Sequence, residues 1–200
     1  MTDMPTRRGT LALLAGGSAL AIFAGTSPAL AFGEADARSL IDKAVAEINA
    51  IISSGKSEQA MYGDFKKIFQ RYADVPTIAR SVLGPPARSA SAAQMRAFSA
   101  AFETYISRKY GRRFREFIGG RVEVTGTRAV KSFYEVQCTA ILKGEAPFGV
   151  TFVVAAQSGR FIDMMIEGIS LLKAERSEVG ALLDKRGGNL DRLIADLPSL

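Results

Sequence analysis

The sequence contains no histidine and no tryptophan, and Cys138 is its only cysteine. Without histidine, Ser-His-Asp and Cys-His nucleophile systems are excluded, as are metal sites with imidazole ligands. A single cysteine forms neither an intramolecular disulfide nor a thiolate cage around a metal ion. Among the acids, only Asp163 and Glu167 stand out, and both are interpreted as turn or capping residues. We therefore expect no catalytic residue and no bound metal.

Long hydrophobic runs are also missing. The most apolar segment, residues 10–24, has about 15 residues and contains glycine, whereas a membrane-spanning helix needs roughly 20 apolar residues. Arg7 and Arg8 precede this run, and the sequence that ends at Ala31 fits cleavage by signal peptidase. We predict that residues 1–31 are a cleaved signal peptide. The arginine pair resembles a twin-arginine signal, and general secretion is the alternative export route. The alternative to a cleaved signal peptide is an uncleaved anchor.

The remaining residues, 32–200, have the length of a single domain. The whole chain carries a formal net charge of +6 at pH 7. Positive charge attracts nucleic acid, anionic lipid headgroups or acidic protein surfaces. Because an exported protein rarely meets nucleic acid, we expect lipid headgroups or acidic proteins as partners.

Apolar residues recur at helical spacing on both sides of a central segment. The pattern predicts helices at residues 35–52, 58–72, 75–83, 91–118, 177–185 and 190–197. Asp74 and Ser91 precede two of these helices at capping positions. Glycine pairs at residues 119–120 and 187–188 are expected to end helical segments.

The central segment has alternating apolar and polar residues, which is typical of strands. Alternation at residues 122–124, 134–142, 148–154 and 161–166 predicts four strands, and their short connections favour antiparallel pairing. The expected fold class is α+β, with N-terminal helices, an antiparallel meander sheet of four or slightly more strands covered by helices, and short C-terminal helices. This arrangement is similar to NTF2 and cystatin folds.

The long predicted helix and the sheet each present an apolar face. A helical layer over a curved sheet leaves a space that is either packed solid or open to an apolar ligand. We predict that the space is an open apolar cavity and that eight residues line it and bind the ligand: Phe98, Phe102, Tyr105, Val136, Cys138, Phe148, Val150 and Phe152. Cys138 is interpreted as a small buried residue and not as a reactive thiol.

Cationic side chains are densest near the end of the long predicted helix. Arg108, Lys109, Arg112 and Arg113 fall within about two helical turns, so several of them must be exposed. We predict that they form a rim that contacts anionic headgroups or an acidic partner. The alternative is an ordinary solvated helix face.

Three segments, in the same order, carry motifs of a known family. Residues 75–84 (VPTIARSVLG) are similar to a DxxxIARxVLG signature, and residues 161–171 (FIDMMIEGISL) to a yDvxxeGvSl stretch. Gly187, Gly188 and residues 190–197 are similar to its closing segment. The chain thereby resembles the MlaC-type periplasmic phospholipid carriers, and the resemblance covers nearly all of residues 32–200.

The resemblance implies a periplasmic carrier that holds a glycerophospholipid by its acyl chains, with the headgroup outside the pocket. It implies movement of lipid between the outer and inner membranes, which maintains lipid asymmetry, and it implies no cofactor. The implied partners are an outer-membrane lipoprotein complex and an inner-membrane MCE-domain complex with its ABC transporter.

Three alternatives stay open. In the first, the fold is the same and the ligand is a hopanoid or another polyisoprenoid lipid. In the second, the protein is a small NTF2-like enzyme that uses Asp163 as a base, which requires a buried acid facing the cavity. In the third, the protein is an interaction module without a ligand, which a solidly packed interior would favour.

Overall fold

A computed structural model describes residues 32–112 and 116–200, which belong to one compact unit. The signal peptide predicted at residues 1–31 lies outside the described residues. Among the helices that are described, none is both long enough and apolar enough to cross a membrane.

The described residues form helices, then a sheet, then helices. Before the sheet come α1 (Glu34–Ile52), α2 (Glu58–Tyr72), α3 (Val75–Leu83) and α4 (Ala92–Gly111). The strands are β1 (Arg121–Val130), β2 (Phe133–Ile141), β3 (Phe148–Ala155), β4 (Arg160–Ile166) and β5 (Ile169–Ser170). After the sheet come α5 (Leu171–Asp184) and α6 (Leu190–Asp196). Short 3-10 segments lie at Pro85–Arg88 and Leu197–Ser199.

The sheet is an antiparallel meander in the order β1-β2-β3-β4-β5. The predicted α+β class is confirmed, and β5 adds a strand of two residues to the four expected. In the register of β2 and β3, Val136 lies opposite Phe152 and Cys138 opposite Val150. These four residues are all buried, so they share the face that the helices cover.

The predicted caps of α3 and α4 are present. The Oδ1 of Asp74 accepts a hydrogen bond from the backbone N–H of Thr77 at 3.2 Å. Ser91 and Gln94 form a reciprocal capping box at the start of α4. Each bond satisfies a backbone or side-chain group that would otherwise lack a partner at the helix end, so both helices begin where the sequence predicts.

The prediction that the long helix extends to residue 118 is wrong, because α4 ends at Gly111 and residues 116–119 form a turn. A Cβ added at Gly111 would lie 2.5 Å from the ring of Tyr62 on α2. Glycine therefore lets the two helices approach closely. It also has low helix propensity, which favours an end at this position.

The helix predicted at residues 177–185 begins earlier, at Leu171. Ser170 caps it, because its side chain accepts a hydrogen bond from the N–H of Lys173 at 3.1 Å. The first turn follows directly from β5, so the strand and helix signals overlap in the sequence and hide this boundary.

Helices cover one face of the sheet. α1 packs on β1 and β2, whereas α3 and α5 pack on each other and on β4. α4 packs on α2 and α3 and on the C-terminal segment. The largest fully buried side chains include Ile41, Phe98, Phe102, Val136 and Val154.

Candidate functional site

An apolar cavity of about 290 Å³ lies between the helices and the sheet. The exposed residues Glu116 and Glu145 are part of its lining, so the cavity reaches the protein surface beside them. Its apolar lining comes from the helices (Ala44, Ile48, Phe65, Ile68, Phe69, Ile78, Val82, Phe102, Ile106, Leu171, Leu172) and from the sheet and its turns (Phe117, Val122, Leu142, Phe148, Val150, Phe152, Phe161, Ile162, Met164, Ile166). The other lining residues are Tyr110, Glu116, Glu145, Asp163 and Glu175.

Four of the eight residues predicted to line a cavity lie in this lining. They are Phe102 of α4 and Phe148, Val150 and Phe152 of β3. The three strand residues alternate along β3 and therefore point to the same side of the sheet. The side chains of α4 and β3 thus meet across the cavity, as the two apolar faces predict.

Val136 and Cys138 are buried on the same face of the sheet but are not part of the lining. They belong to β2, and α1 packs on β1 and β2. The two side chains lie on the face of the sheet that was predicted to be buried. The prediction did not include the packing of α1 against this part of the face. Burial raises the pKa of the Cys138 thiol to about 12, which keeps it protonated at neutral pH.

Phe98 and Tyr105 are also buried without lining the cavity. The ring of Phe98 stacks on Phe102 at 6.0 Å, one helical turn away from the cavity. The hydroxyl of Tyr105 donates to Glu178 of α5 at 2.7 Å, so this side chain is turned toward α5. Ligand contact by any of the eight residues stays a prediction.

α2 and β4 contribute lining residues that were not predicted from the sequence. Phe69 of α2 lies 6.1 Å from Phe161 of β4, and Phe161 lies 5.4 Å from Phe152, measured between ring centroids. The apolar side of α2 is visible in its helical periodicity. Its position across from β4 depends on how α2 packs, which periodicity does not report.

Asp163 has a structural role in the cavity wall. Its Oδ1 accepts hydrogen bonds from the backbone N–H groups of Met164 (2.7 Å) and Leu172 (2.9 Å). Its Oδ2 accepts a hydrogen bond from the hydroxyl of Ser170 at 2.5 Å. Both oxygens are therefore engaged, and they tie β4 to the first turn of α5.

An ionic network joins α4 to α5 beside the cavity, with Glu175 buried and Lys109 and Glu178 partly exposed. The ammonium of Lys109 donates to Oε1 of Glu175 at 2.8 Å, to Oε2 of Glu178, and to the hydroxyl of Tyr105 at 3.1 Å. The hydroxyl of Tyr110 donates to the same Oε1 of Glu175 at 2.6 Å. Glu175 is only 3% exposed, so its charge depends on these partners.

The contacts of the network favour the ordinary charge states of Lys109, Glu178 and Tyr105 at neutral pH. Burial opposes the charge on Lys109, but its hydrogen bonds to Glu175 and Glu178 outweigh burial and raise the pKa of Lys109. The hydrogen bond from Lys109 lowers the pKa of Glu178 below the ordinary carboxyl value. Burial, with the hydrogen bond to Glu178, raises the pKa of Tyr105.

Three of the four residues predicted for the cationic rim are described, and none of these three lines the cavity. Arg108 donates to the backbone carbonyl of Pro198, and Lys109 is held by the two glutamates. Arg108 and Arg112 line a separate polar groove beside Lys66 of α2. Arg113 lies outside the described residues, so headgroup or partner contact by this rim stays a prediction.

Two large apolar side chains are exposed next to residues of the cavity lining. Ile118 is 51% exposed and follows Phe117, whose ring lies 6.4 Å from that of Phe148. Ile169 is 67% exposed and pairs with Ile166 at the end of β4. Within residues 32–112 and 116–200, no cluster of three or more His, Cys, Asp or Glu side chains is suited to a metal ion.

Comparison with known proteins identifies relatives of this chain. The model of a family described as MlaC protein matches residues 40–199. A solved structure of a phospholipid-binding protein from Ralstonia solanacearum, in complex with a phospholipid, has a similar fold. Its TM-score is 0.68 at 21% sequence identity, and the match covers 81% of this chain and 98% of that chain.

Proposed function

The chain belongs to the MlaC family, and we propose on this basis that it is a carrier that holds a phospholipid by its acyl chains in the cavity. The observation that supports this most directly is the cavity itself, which is lined mainly by aliphatic and aromatic side chains and reaches the surface. The similar Ralstonia solanacearum protein binds a phospholipid, which supports the same ligand class here.

The size of the cavity limits the hydrophobic free energy that an acyl chain gains by moving into it from water. A methylene group and a water molecule in the liquid have similar volumes of roughly 30 Å³, so about 290 Å³ accommodates about ten methylenes. At about 0.8 kcal/mol for each buried methylene, this is worth about 8 kcal/mol relative to water. A lipid with two long chains requires the cavity to widen or the chain ends to extend out of it.

A bilayer offers acyl chains nearly the same environment as the cavity. Net transfer between membrane and carrier is therefore close to balanced, and partners must supply direction. We propose the partners that the family implies: an outer-membrane lipoprotein complex and an inner-membrane MCE-domain complex with its ABC transporter. The proposed compartment is the periplasm, reached after cleavage near Ala31, and the proposed role is maintenance of lipid asymmetry.

A carrier accounts for Asp163 better than an enzyme does. A general base needs a free carboxylate lone pair directed at the substrate. Both oxygens of Asp163 instead hold the β4–α5 junction through three hydrogen bonds. We therefore propose no catalytic residue.

Filling the cavity provides a test of this function. Ile106 lies on α4 and lines the cavity, so Ile106→Trp places a larger side chain where the acyl chain would lie. Ala97 is exposed on the same helix, and Ala97→Trp is the matched control. The assay measures transfer of a fluorescent phospholipid from donor to acceptor vesicles, with thermal unfolding recorded for each protein.

We expect Ile106→Trp to transfer lipid several-fold more slowly than the wild type, while Ala97→Trp transfers at the wild-type rate. Both variants are expected to unfold cooperatively. Equal transfer by all three proteins would contradict binding of the acyl chains in this cavity. Bound hopanoid in place of phospholipid, identified by mass spectrometry, would support the alternative ligand.

A further inference from the structure

The cavity opens at one end of the sheet, which we call the mouth end. Because the sheet is an antiparallel meander, β1, β3 and β5 begin at this end, and β2 and β4 finish there. The strand ends and connections at this end supply lining residues, namely Glu116, Phe117, Leu142, Glu145, Phe148 and Ile166. The exposed residues Glu116 and Glu145, beside which the cavity reaches the surface, are among them.

Two exposed isoleucines lie at the mouth end. Ile118 is in the turn before β1 and Ile169 begins β5, and they are the most exposed of the large apolar side chains in the part of the chain that the structure describes. The turn of Ile118 leads directly onto the end of β2, because a Cβ added at Gly120 would lie 2.5 Å from the carbonyl oxygen of Ile141. β1 and β5 are the edge strands, so the two isoleucines flank the mouth end from both edges of the sheet.

A single exposed isoleucine is ordinary on a protein surface, but the position of this pair bears on the path of a lipid. An acyl chain that moves between a bilayer and the cavity loses free energy for each methylene that is exposed to water on the way. Apolar side chains that enter the bilayer beside the opening shorten this path, and they gain free energy by leaving water themselves. The pair therefore suits a contact between the mouth end and a bilayer surface.

Basic residues near the isoleucines suit an anionic bilayer surface. Lys143 in the β2–β3 connection and Lys173 in the first turn of α5 are exposed. Arg113 and Arg115 are close to Ile118 in the sequence and lie outside the described residues. Long lysine side chains reach lipid phosphates while apolar neighbours lie deeper in the bilayer. Four basic and three acidic residues occur in the sequence segments around the strand ends, which are residues 113–118, 142–148 and 166–173.

A bilayer suits this surface better than a protein partner does. Each isoleucine follows an exposed glutamate by two residues, since Glu116 precedes Ile118 and Glu167 precedes Ile169. A stable protein interface has a continuous apolar centre from which charged residues are depleted. A bilayer instead takes up single apolar side chains and leaves their charged neighbours at the level of the headgroups.

We propose that Ile118 and Ile169 insert into the surface of a lipid bilayer when the cavity exchanges lipid with it. The inference rests on the proposed function, and it adds the bilayer itself as a direct partner of the protein. Neither isoleucine lines the cavity, so their replacement leaves the site for the acyl chains intact.

Tryptophan substitution provides the first test, because the chain contains no tryptophan. Ile118→Trp and Ile169→Trp each place a single fluorophore at the mouth end. Phe133→Trp is the matched control, because Phe133 is exposed at the start of β2, at the opposite end of the sheet. Each mature protein is loaded with dioleoyl phosphatidylglycerol, so that the cavity is filled, and is then mixed with vesicles of dioleoyl phosphatidylethanolamine and dioleoyl phosphatidylglycerol in equal parts.

We expect the emission of both mouth-end variants to shift to shorter wavelength when the vesicles are added, and that of Phe133→Trp to stay unchanged. Unchanged emission of the two mouth-end variants would overturn the inference, and it is the result that a surface for a protein partner would give. An equal shift in all three variants would also overturn it, because association with the vesicles would then not be confined to the mouth end.

Removal of the apolar side chains provides the second test. The double variant Ile118→Ser/Ile169→Ser is compared with the wild type and with Phe133→Ser in transfer of a fluorescent phospholipid between vesicles, with no other protein present. We expect the double variant to transfer about tenfold more slowly, because insertion weakens with the loss of apolar area that leaves water. Phe133→Ser is expected to transfer at the wild-type rate.

Native mass spectrometry of the purified proteins distinguishes this inference from the proposed function. We expect the double variant to carry as much phospholipid as the wild type. Loss of bound phospholipid from the double variant would overturn the inference, because the isoleucines would then act in binding itself. Equal transfer by the double variant and the wild type would also overturn it and leave the carrier function standing. Failure of the wild type to bind phospholipid would contradict the proposed function.

Discussion

At the scale of single residues, Asp163 is the side chain for which a structural role is most easily distinguished from a direct role with the ligand. Asp163→Ala removes the acceptor of two backbone N–H groups and one hydroxyl at the β4–α5 junction. We expect a loss of about 3 kcal/mol in the free energy of unfolding, measured with urea, because three partly buried donors are left without partners. Unchanged stability together with loss of function would indicate a direct role with the ligand.

Gly168 provides a second test at this scale. Its φ is +78°, and a Cβ added there would meet no atom within 4 Å. Any cost of substitution therefore comes from the backbone, and Gly168→Ala should lower the free energy of unfolding by about 1 kcal/mol. Gly168 lies in the turn between β4 and β5, where a positive φ suits glycine.

Gly180 is the matched control for that substitution. It lies inside α5, where φ is helical, and a Cβ there also meets no atom within 4 Å. Gly180→Ala should raise the free energy of unfolding by about 0.5–1 kcal/mol, because alanine favours the helix. Thermal melts that shift in the same direction for both variants would contradict the backbone explanation.

The sequence predicted site residues of the sheet where alternating apolar and polar residues show which side chains share one face. Val136, Cys138, Val150 and Phe152 do share the buried face of the sheet. α1 packs over part of β1 and β2, and only residues beyond this contact line the cavity. The extent of the contact is a property of tertiary packing. Glu175 was missed because one acid in a helical pattern carries no sign of burial.

At the scale of secondary-structure elements, the network of Lys109, Glu175 and Glu178 predicts how the α4–α5 contact responds to pH. The pKa of Glu178 is lowered by the hydrogen bond from Lys109. A carboxyl whose pKa is lower in the folded state stabilises the fold above its unfolded pKa, and this stability is lost as pH falls through the folded value.

Glu178→Gln isolates this contribution. The wild type should be more stable than Glu178→Gln near pH 7, by less than about 1 kcal/mol because Glu178 is half-exposed. The difference should shrink as pH falls below 4.5, the ordinary value for the carboxyl. Urea unfolding at several pH values measures it, and a difference that grows toward acid pH would contradict the assigned ion pair.

Element boundaries were predictable where local chemistry marks them. The α2 and α3 ranges agree with the periodicity, and Asp74 caps α3 as expected. The end of α4 was misplaced because aromatic periodicity continues past Gly111, and the close approach of Tyr62 that requires this glycine is not visible in one sequence. The start of α5 was missed because its first turn follows directly from β5, so the strand and helix signals overlap in the sequence.

At the scale of the whole molecule, the order of helices, meander and helices follows from the change of period along the chain, and the structure agrees with it. The open cavity was predicted as well, but periodicity alone did not establish it. Apolar faces that pack solidly and apolar faces that leave a space have the same periodicity. The volume of about 290 Å³ distinguishes the two, and it argues against a solid interior.

Native mass spectrometry of the mature protein purified from a periplasmic extract, followed by extraction and identification of the bound lipid, is the most direct test of the proposed carrier function. We expect a complex with one phospholipid for each protein chain, held in the cavity between helices and sheet. Protein that carries no lipid, or that carries only a lipid other than a phospholipid, would contradict it.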